Sequence, residues 1–394
     1  MQSDVRTSTQ SSILMFRDRH ETSSLRRRRS PGTYPTIVLC VVRRMPEGTP
    51  HHDRTRTDMT LEKIRPATLG FLLVPLIAAI PLSAHGHVKW FSEYDVTASP
   101  LALSELATST LFLTLFAASL AAVLIVIAID RRLTMPSSIA RLEHAGERYA
   151  SRFMRAAAAV FFVSLQLAGL DVLLTPELAS ASPLVPVLHY AIAALVLFEA
   201  SAWLGGVGII VLYAMGVSQY GMFHMLDYVI FIGIAAFLIL VSLSRGERVN
   251  RALAVLRLAT AFSLLWGAIE KFAYPSGFHQ LFDEYPYLSF GLDQTFFLWS
   301  AGFVEFVCAY LLIAGRLSAK GSCAVLLFFF GIAVIPFGMV DAIGHCMFAA
   351  SLIVLLSSRN ETGATFRRFG NIGRFVGSMA LMFGTYYTLQ TALA

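Results

Sequence analysis

The sequence predicts an all-α, polytopic transmembrane helical bundle of about eleven spans. Three observations predict it. Of the 394 residues, 56% are apolar and 14% charged, against about 25% charged in a soluble domain. Apolar runs recur at the length of about 17–25 residues that crosses a hydrocarbon core. Arginines punctuate alternate loops between those runs, as the bias toward cytoplasmic basic loops requires.

The expected spans lie near 67–84, 105–129, 156–173, 185–203, 206–219, 226–244, 252–270, 294–315, 321–336, 342–358 and 371–391. Inside lipid a backbone must bond to itself, so runs of this length form helices. The fifth is short and holds Gly205, Gly206 and Gly208, which suits close helix packing. Basic residues fall in four loops: Arg131, Arg132, Arg141 and Arg148; Arg245, Arg248 and Arg251; Arg316 and Lys320; Arg359, Arg367 and Arg368. The intervening loops 174–184 and 220–225 have none, and 85–104 has Lys89 alone. The expected topology therefore has the N-terminus in the cytoplasm and, after eleven spans, the C-terminus outside. Trp90, Phe91, Tyr285 and Tyr287 flank spans on the outer side as interfacial anchors.

The net charge of +6 is confined to the first residues. Residues 1–66 hold 13 Lys+Arg against 7 Asp+Glu, and the remainder, with 18 of each, is neutral. The body therefore has no basic groove for nucleic acid, and the expected partner is the lipid bilayer. Residues 1–58, with Arg26-Arg27-Arg28-Arg29, read as a basic, disordered tail or an upstream start ahead of Met59. Residues 59–152 hold two spans and a basic loop, and residues 359–394 the last span. Cys308, Cys323 and Cys346 stand singly in apolar segments and read as small hydrophobes.

Between these ends the chain resembles itself. Leu167-Ala168-Gly169-Leu170-Asp171 parallels Trp266-Gly267-Ala268-Ile269-Glu270, and Tyr220-Gly221-Met222 parallels Phe337-Gly338-Met339. Glu199 to Trp203 parallels Glu305 to Tyr310 more loosely. The expectation is two tandem, parallel four-helix units, at 153–248 and 249–358.

An ionisable group in a bilayer costs at least about 2.5–3.5 kcal/mol on insertion scales, so those inside spans call for a reason. The second unit has Glu270, Lys271, Glu305, Asp341 and His345; the first has Asp171, His189, Glu199, His224 and Asp227. Asp341 with His345, and His224 with Asp227, are spaced to share a helix face. A histidine beside a carboxylate can relay protons or bind a quinone oxygen, since its charge changes near neutral pH. The same groups also serve as helix glue or reach for the headgroup layer. His85-Gly86-His87 supplies two imidazoles toward a metal site, and equally reads as a solvated loop. Copper or haem would need further ligands. The sequence has no P-loop, G-x-S-x-G, HExxH or EF-hand pattern, which leaves an ATP-driven pump or membrane protease nothing to rest on.

Arg257-Leu258, Gly267-Ala268-Ile269-Glu270-Lys271-Phe272 with Pro275, Glu305 before Leu311-Leu312-Ile313-Ala314-Gly315-Arg316, and Phe337-Gly338-Met339-Val340-Asp341 to His345 together resemble the DoxX-like membrane family over about 251–358. The first unit resembles it less, with Val172 standing where Lys271 would be. The resemblance implies a bacterial inner-membrane protein associated with redox systems, quinone-linked or an accessory subunit, with a membrane or periplasmic redox partner. It implies Lys271, Glu305, Asp341 and His345 as catalytic candidates. His224 and Asp227 stand beside them as candidates for holding a cofactor such as quinone. Two other expectations come from the residues themselves: a transporter or channel for a small solute, proton or metal ion with Glu199 and Glu305 along its path, and a structural assembly subunit.

Overall fold

The computed structural model describes residues 99–244, 248–360 and 371–393, so span 67–84, His85, His87, Trp90 and Phe91 lie outside the described residues. The described residues are helical, without a β-strand; one isolated bridge pairs Val172 with Ala179. The helices are α1 (Leu103–Thr108), α2 (Thr110–Arg132), α3 (Ser137–Leu167), α4 (Leu184–Leu197), α5 (Ala202–Met225), α6 (Val229–Leu243), α7 (Val249–Ala273), α8 (Pro275–Glu284), α9 (Gln294–Ala314), α10 (Leu317–Leu356) and α11 (Asn371–Leu393). Short 3₁₀ turns, Leu226–Tyr228 and Pro286–Ser289, join α5 to α6 and follow α8.

Among the described residues five helical stretches are long and apolar enough to cross a membrane: Thr110–Arg132, Ala202–Leu243, Val249–Ala273, Gln294–Ala314 and Leu317–Leu356. Two of these are too long for one crossing. Forty residues of straight α-helix would run about 60 Å, twice the hydrocarbon thickness. The side chains show how α10 solves this. Lys320 Nζ donates to the carbonyl oxygen of Leu356 at 2.9 Å, although 36 residues separate them, and Phe330 stacks on His345 at 4.6 Å. Helix α10 is therefore a hairpin, turning back at Gly338 (φ 73°, ψ −154°) just after Pro336. The 42-residue stretch folds likewise: Tyr213 Oη donates to Met225 O at 2.7 Å, and Ser242 Oγ to Glu199 O at 2.5 Å. Its corner is Gly221 (φ 82°, ψ 158°). Both glycines hold conformations that a Cβ makes costly, by about 1–3 kcal/mol.

The passes alternate between two ends. One end carries both hairpin corners and the 168–183 and 274–293 connections. The other carries Asp130, Glu143, Arg316, Lys320 and Arg359. Helix α7 is the most enclosed, buried along 72% of its apolar window, whereas α2 is buried along 17% and presents Ile125 and Ile129 outward. In lipid such exposure is no penalty, and helices associate through close packing instead. A Cβ on Gly206 would meet Ala235 O at 2.8 Å, and one on Gly233 would meet Ala259 Cβ at 2.3 Å. Glycine at these two places sets how near α5, α6 and α7 can lie.

The opposite end is closed by charge. Asp130, at the end of α2, accepts the backbone N–H of Arg316 and Leu317 at 2.8 Å each and the hydroxyl of Ser318 at 3.1 Å. It thus caps the free N–H groups that open α10. Glu143 of α3, buried, pairs with Lys320 at 3.0 Å, and Arg359 reaches Glu143 and Glu147 at 3.9 and 3.7 Å. Arg257, 1% exposed, donates to Leu312 O and Arg359 O. Cys308, Cys323 and Cys346 are free thiols.

Candidate functional site

Near the hairpin-corner end, the helices line a cavity of about 70 Å³. Six elements build it. Helix α7 presents Ser263, Leu264, Gly267, Glu270 and Lys271; α9 presents Glu305; the two arms of α10 present Phe330, His345 and Phe348. The 3₁₀ turn after α5 adds Asp227 and Tyr228, α8 adds Phe278, and the loop before α4 adds Thr175.

The α7 residues reach it because Ser263, Gly267, Glu270 and Lys271 recur at helical spacing on one face. Gly267 supplies no side chain there, and its carbonyl accepts from Lys271 Nζ at 3.2 Å. The same ammonium donates to Glu305 Oε2 at 2.6 Å, a charge-assisted contact across two helices. Lys271 also stands 5.8 Å from the Phe278 ring centre. On the facing arm of α10, one turn apart, His345 Nδ1 lies 3.2 Å from Asp341 Oδ1. Asp341 is 1% exposed, and its Oδ2 has no hydrogen-bond partner. The Thr175 hydroxyl, equally buried, likewise has none, while Ser263 Oγ accepts from Ile230 N at 2.9 Å.

Beside the cavity sits a group that the sequence did not single out. Glu177 accepts from the Tyr228 hydroxyl through Oε2, and its Oε1 lies 2.9 Å from His224 Nε2. The His224 Nε2 makes no hydrogen bond along that short line, so the two groups meet by proximity alone. Tyr220 stacks on the His224 ring at 5.6 Å and donates to Ala179 O at 2.6 Å. Glu177 follows Pro176 in a loop, where a lone carboxylate carries no sequence signal; only the fold brings it under α5.

The structure thus gathers Lys271, Glu305, His345 and Asp227 on one cavity, with Asp341 and His224 each one contact away. Residues from both 153–248 and 249–358 line it. Other expected residues go elsewhere. Glu199, expected along a path with Glu305, does not line the cavity; it is 58% exposed beside Arg155 at 3.8 Å. The reason is that α4 ends at Leu197, leaving Glu199 in the turn before α5. His189 is fully buried and satisfied, between Gln166 Nε2 at 2.8 Å and Leu173 O at 2.9 Å. Asp171 is exposed in its loop. Among the described residues no three His, Cys, Asp or Glu side chains are placed to hold a metal ion, and His85 and His87 lie outside them.

The fold and cavity define a class: among the described residues, a helical protein whose longest helices are apolar enough to cross a membrane, around an ionisable site. No family model matches the chain, and no curated protein and no solved structure matches it.

Proposed function

We propose that the chain is a proton-coupled membrane transport protein that takes up and releases protons at the Lys271–Glu305 and Asp341–His345 cavity. The observation that carries this reading is the match between the size of the cavity and its charge. About 70 Å³ gives room for a few waters, a water needing at least about 10–15 Å³. The lining carries three carboxylates, Asp227, Glu270 and Glu305, against one lysine and one histidine. Carboxylates that line a water-sized space can exchange protons with water held there, and a proton is the simplest cargo for such a group.

In this reading the helices make eleven passes, counting span 67–84 and both arms of each hairpin. The two units are tandem copies, supported by Gly221 and Gly338, which stand at equivalent hairpin corners with positive φ. Arg131, Arg132, Arg316 and Arg359 gather at the end away from the cavity, which the positive-inside rule makes cytoplasmic. The cavity then faces outward across a bacterial inner membrane, and the Glu143–Lys320–Arg359 cluster closes the cytoplasmic side. Vesicles reconstituted with the protein and a pH-sensitive dye, under an imposed potassium diffusion potential, are expected to take up protons faster than protein-free vesicles. Glu305→Gln is expected to return uptake to background. Wild-type uptake equal to that of empty vesicles would remove the reading.

A second reading follows the DoxX-like resemblance: a redox-associated protein or accessory subunit handling a quinone at the outer face. The rings of Phe278, Phe330 and Phe348 favour it, because they wall the cavity beside two N–H donors, Lys271 and His345, suited to quinone oxygens. The cavity is only about half the 150 Å³ that holds benzene in an engineered core, so a headgroup would enter by parting these rings. Quinone-dependent electron flow in vesicles would then fall in both Lys271→Ala and His345→Ala. Unchanged flow in both variants excludes it.

A further inference from the structure

We infer that Tyr228, Glu177 and His224 form a proton route between the cavity and the aqueous phase at the hairpin-corner end; this rests on the proton-exchanging reading above. Two contacts join the cavity lining to His224. Tyr228 lines the cavity beside Asp227 and donates its hydroxyl to Glu177 Oε2. Glu177 Oε1 is 2.9 Å from His224 Nε2. Exposure rises along the line: Tyr228 is 6% exposed overall, the Glu177 side chain 10% and the His224 side chain 18%. The surroundings hold the line in place. Tyr220 stacks on His224 and is anchored to Ala179 O, and Gln219 Nε2 donates to the same carbonyl at 2.7 Å. Tyr213 of α5 bonds to Met225 O just before the turn.

A proton crosses by ordinary transfers, with no electrons exchanged. Protonated by water, His224 gives up its Nε2 proton as a Glu177 O–H bond forms, after a rotation that aligns the ring. Turning the Glu177 carboxyl presents that O–H to the phenol oxygen. The Tyr228 O–H bond then breaks toward water held in the cavity, while a new Tyr228 O–H forms from Glu177, and that water passes its extra proton to a lining carboxylate. His224 and Glu177 return to their starting forms, and one proton has moved inward. Each carrier has a distinct role: the imidazole collects, the carboxylate turns, and the phenol delivers. A merely structural cluster would need the same contacts, but its loss would leave the rate of proton exchange unchanged.

The test is a pH jump on the whole protein in lipid, followed by time-resolved infrared absorption of the protonated-carboxyl stretch, with Glu305→Gln and Asp341→Asn assigning the cavity bands. In wild type these bands are expected to respond. In Tyr228→Phe and Glu177→Gln the same final amplitude should be reached about 100-fold more slowly, the low end of what a positioned proton donor contributes. Glu177→Asp is expected to recover part of the rate. Bands that respond at wild-type rates in both Tyr228→Phe and Glu177→Gln overturn the route while leaving the proton-exchanging cavity standing. Bands that never respond overturn both. Loss of thermal stability with an unchanged rate assigns the cluster to structure and also overturns the route.

Discussion

Lys271→Met is expected to destabilise the bundle by about 3–5 kcal/mol, the cost of leaving a buried carboxylate without its cation. Glu305 is four-fifths buried and takes its 2.6 Å contact from Lys271. With the ammonium gone, the carboxyl would lose its partner, and the Gly267 carbonyl would lose a donor as well. The informative comparison is with Lys271→Met/Glu305→Gln, in which neither partner carries charge. That double variant is expected to regain most of the lost stability, since replacing both members of a buried pair is often close to neutral. Unfolding in lipid or mild detergent measures the cycle. Equal loss in the single and the double variant would mean that the pair contributes no mutual compensation, and that Lys271 acts through its stem against Phe278 alone.

The second large effect is expected at the opposite end. Lys320→Met removes the cation from Glu143 and also the donor shared by Leu356 O and Ser358 O, at 2.9 and 3.1 Å. These bonds hold the open end of the α10 hairpin, so the two arms should part there. The expected cost is about 3 kcal/mol, the lower part of the range for a broken buried pair, because Arg359 remains 3.9 Å from Glu143. Glu143→Gln in the same chain should return part of it. If the proton-coupled reading holds, Lys320→Met also opens the cytoplasmic side and raises proton leak in vesicles. A variant as stable and as tight as wild type would show that the clasp is a surface ornament of the fold.

Much of the helical order was legible in the sequence, because backbone chemistry in lipid leaves apolar runs few choices. The residues expected at 252–270 and 371–391 lie on α7 and α11, those at 294–315 on α9 and its cap, and those at 105–129 run from α1 across Ser109 into α2. The pause between 336 and 342 marks the corner of α10, where Pro336 and Gly338 interrupt an otherwise continuous run. What hydropathy missed is the first half of α3. Residues 137–155 are rich in charge and fall below any apolar threshold, yet they are helical and carry Glu143 into contact with Lys320. The site divides in the same way. Lys271, Glu305, Asp341 and His345 stood out because charge inside an apolar run is costly. Glu177 did not, since a loop carboxylate costs nothing in sequence terms and acquires its meaning only from His224 and Tyr228. Glu199 stood out for the right reason and lies in the wrong place, because composition cannot locate a helix end within two residues.

The cap that Asp130 places on α10 also says something about time. Its partners, Arg316 to Ser318, lie 186 to 188 residues further along the chain. At synthesis rates of about 5–20 residues per second, that is roughly 10–40 s of translation. Throughout that interval α2 is already made and its terminal aspartate has nothing to cap. The last turn of α2 must therefore stay wet until α9 has been threaded and the next segment emerges. Final closure of the bundle is a late event in the birth of the molecule, and ribosome-bound chains stopped before residue 316 are expected to leave Asp130 open to water.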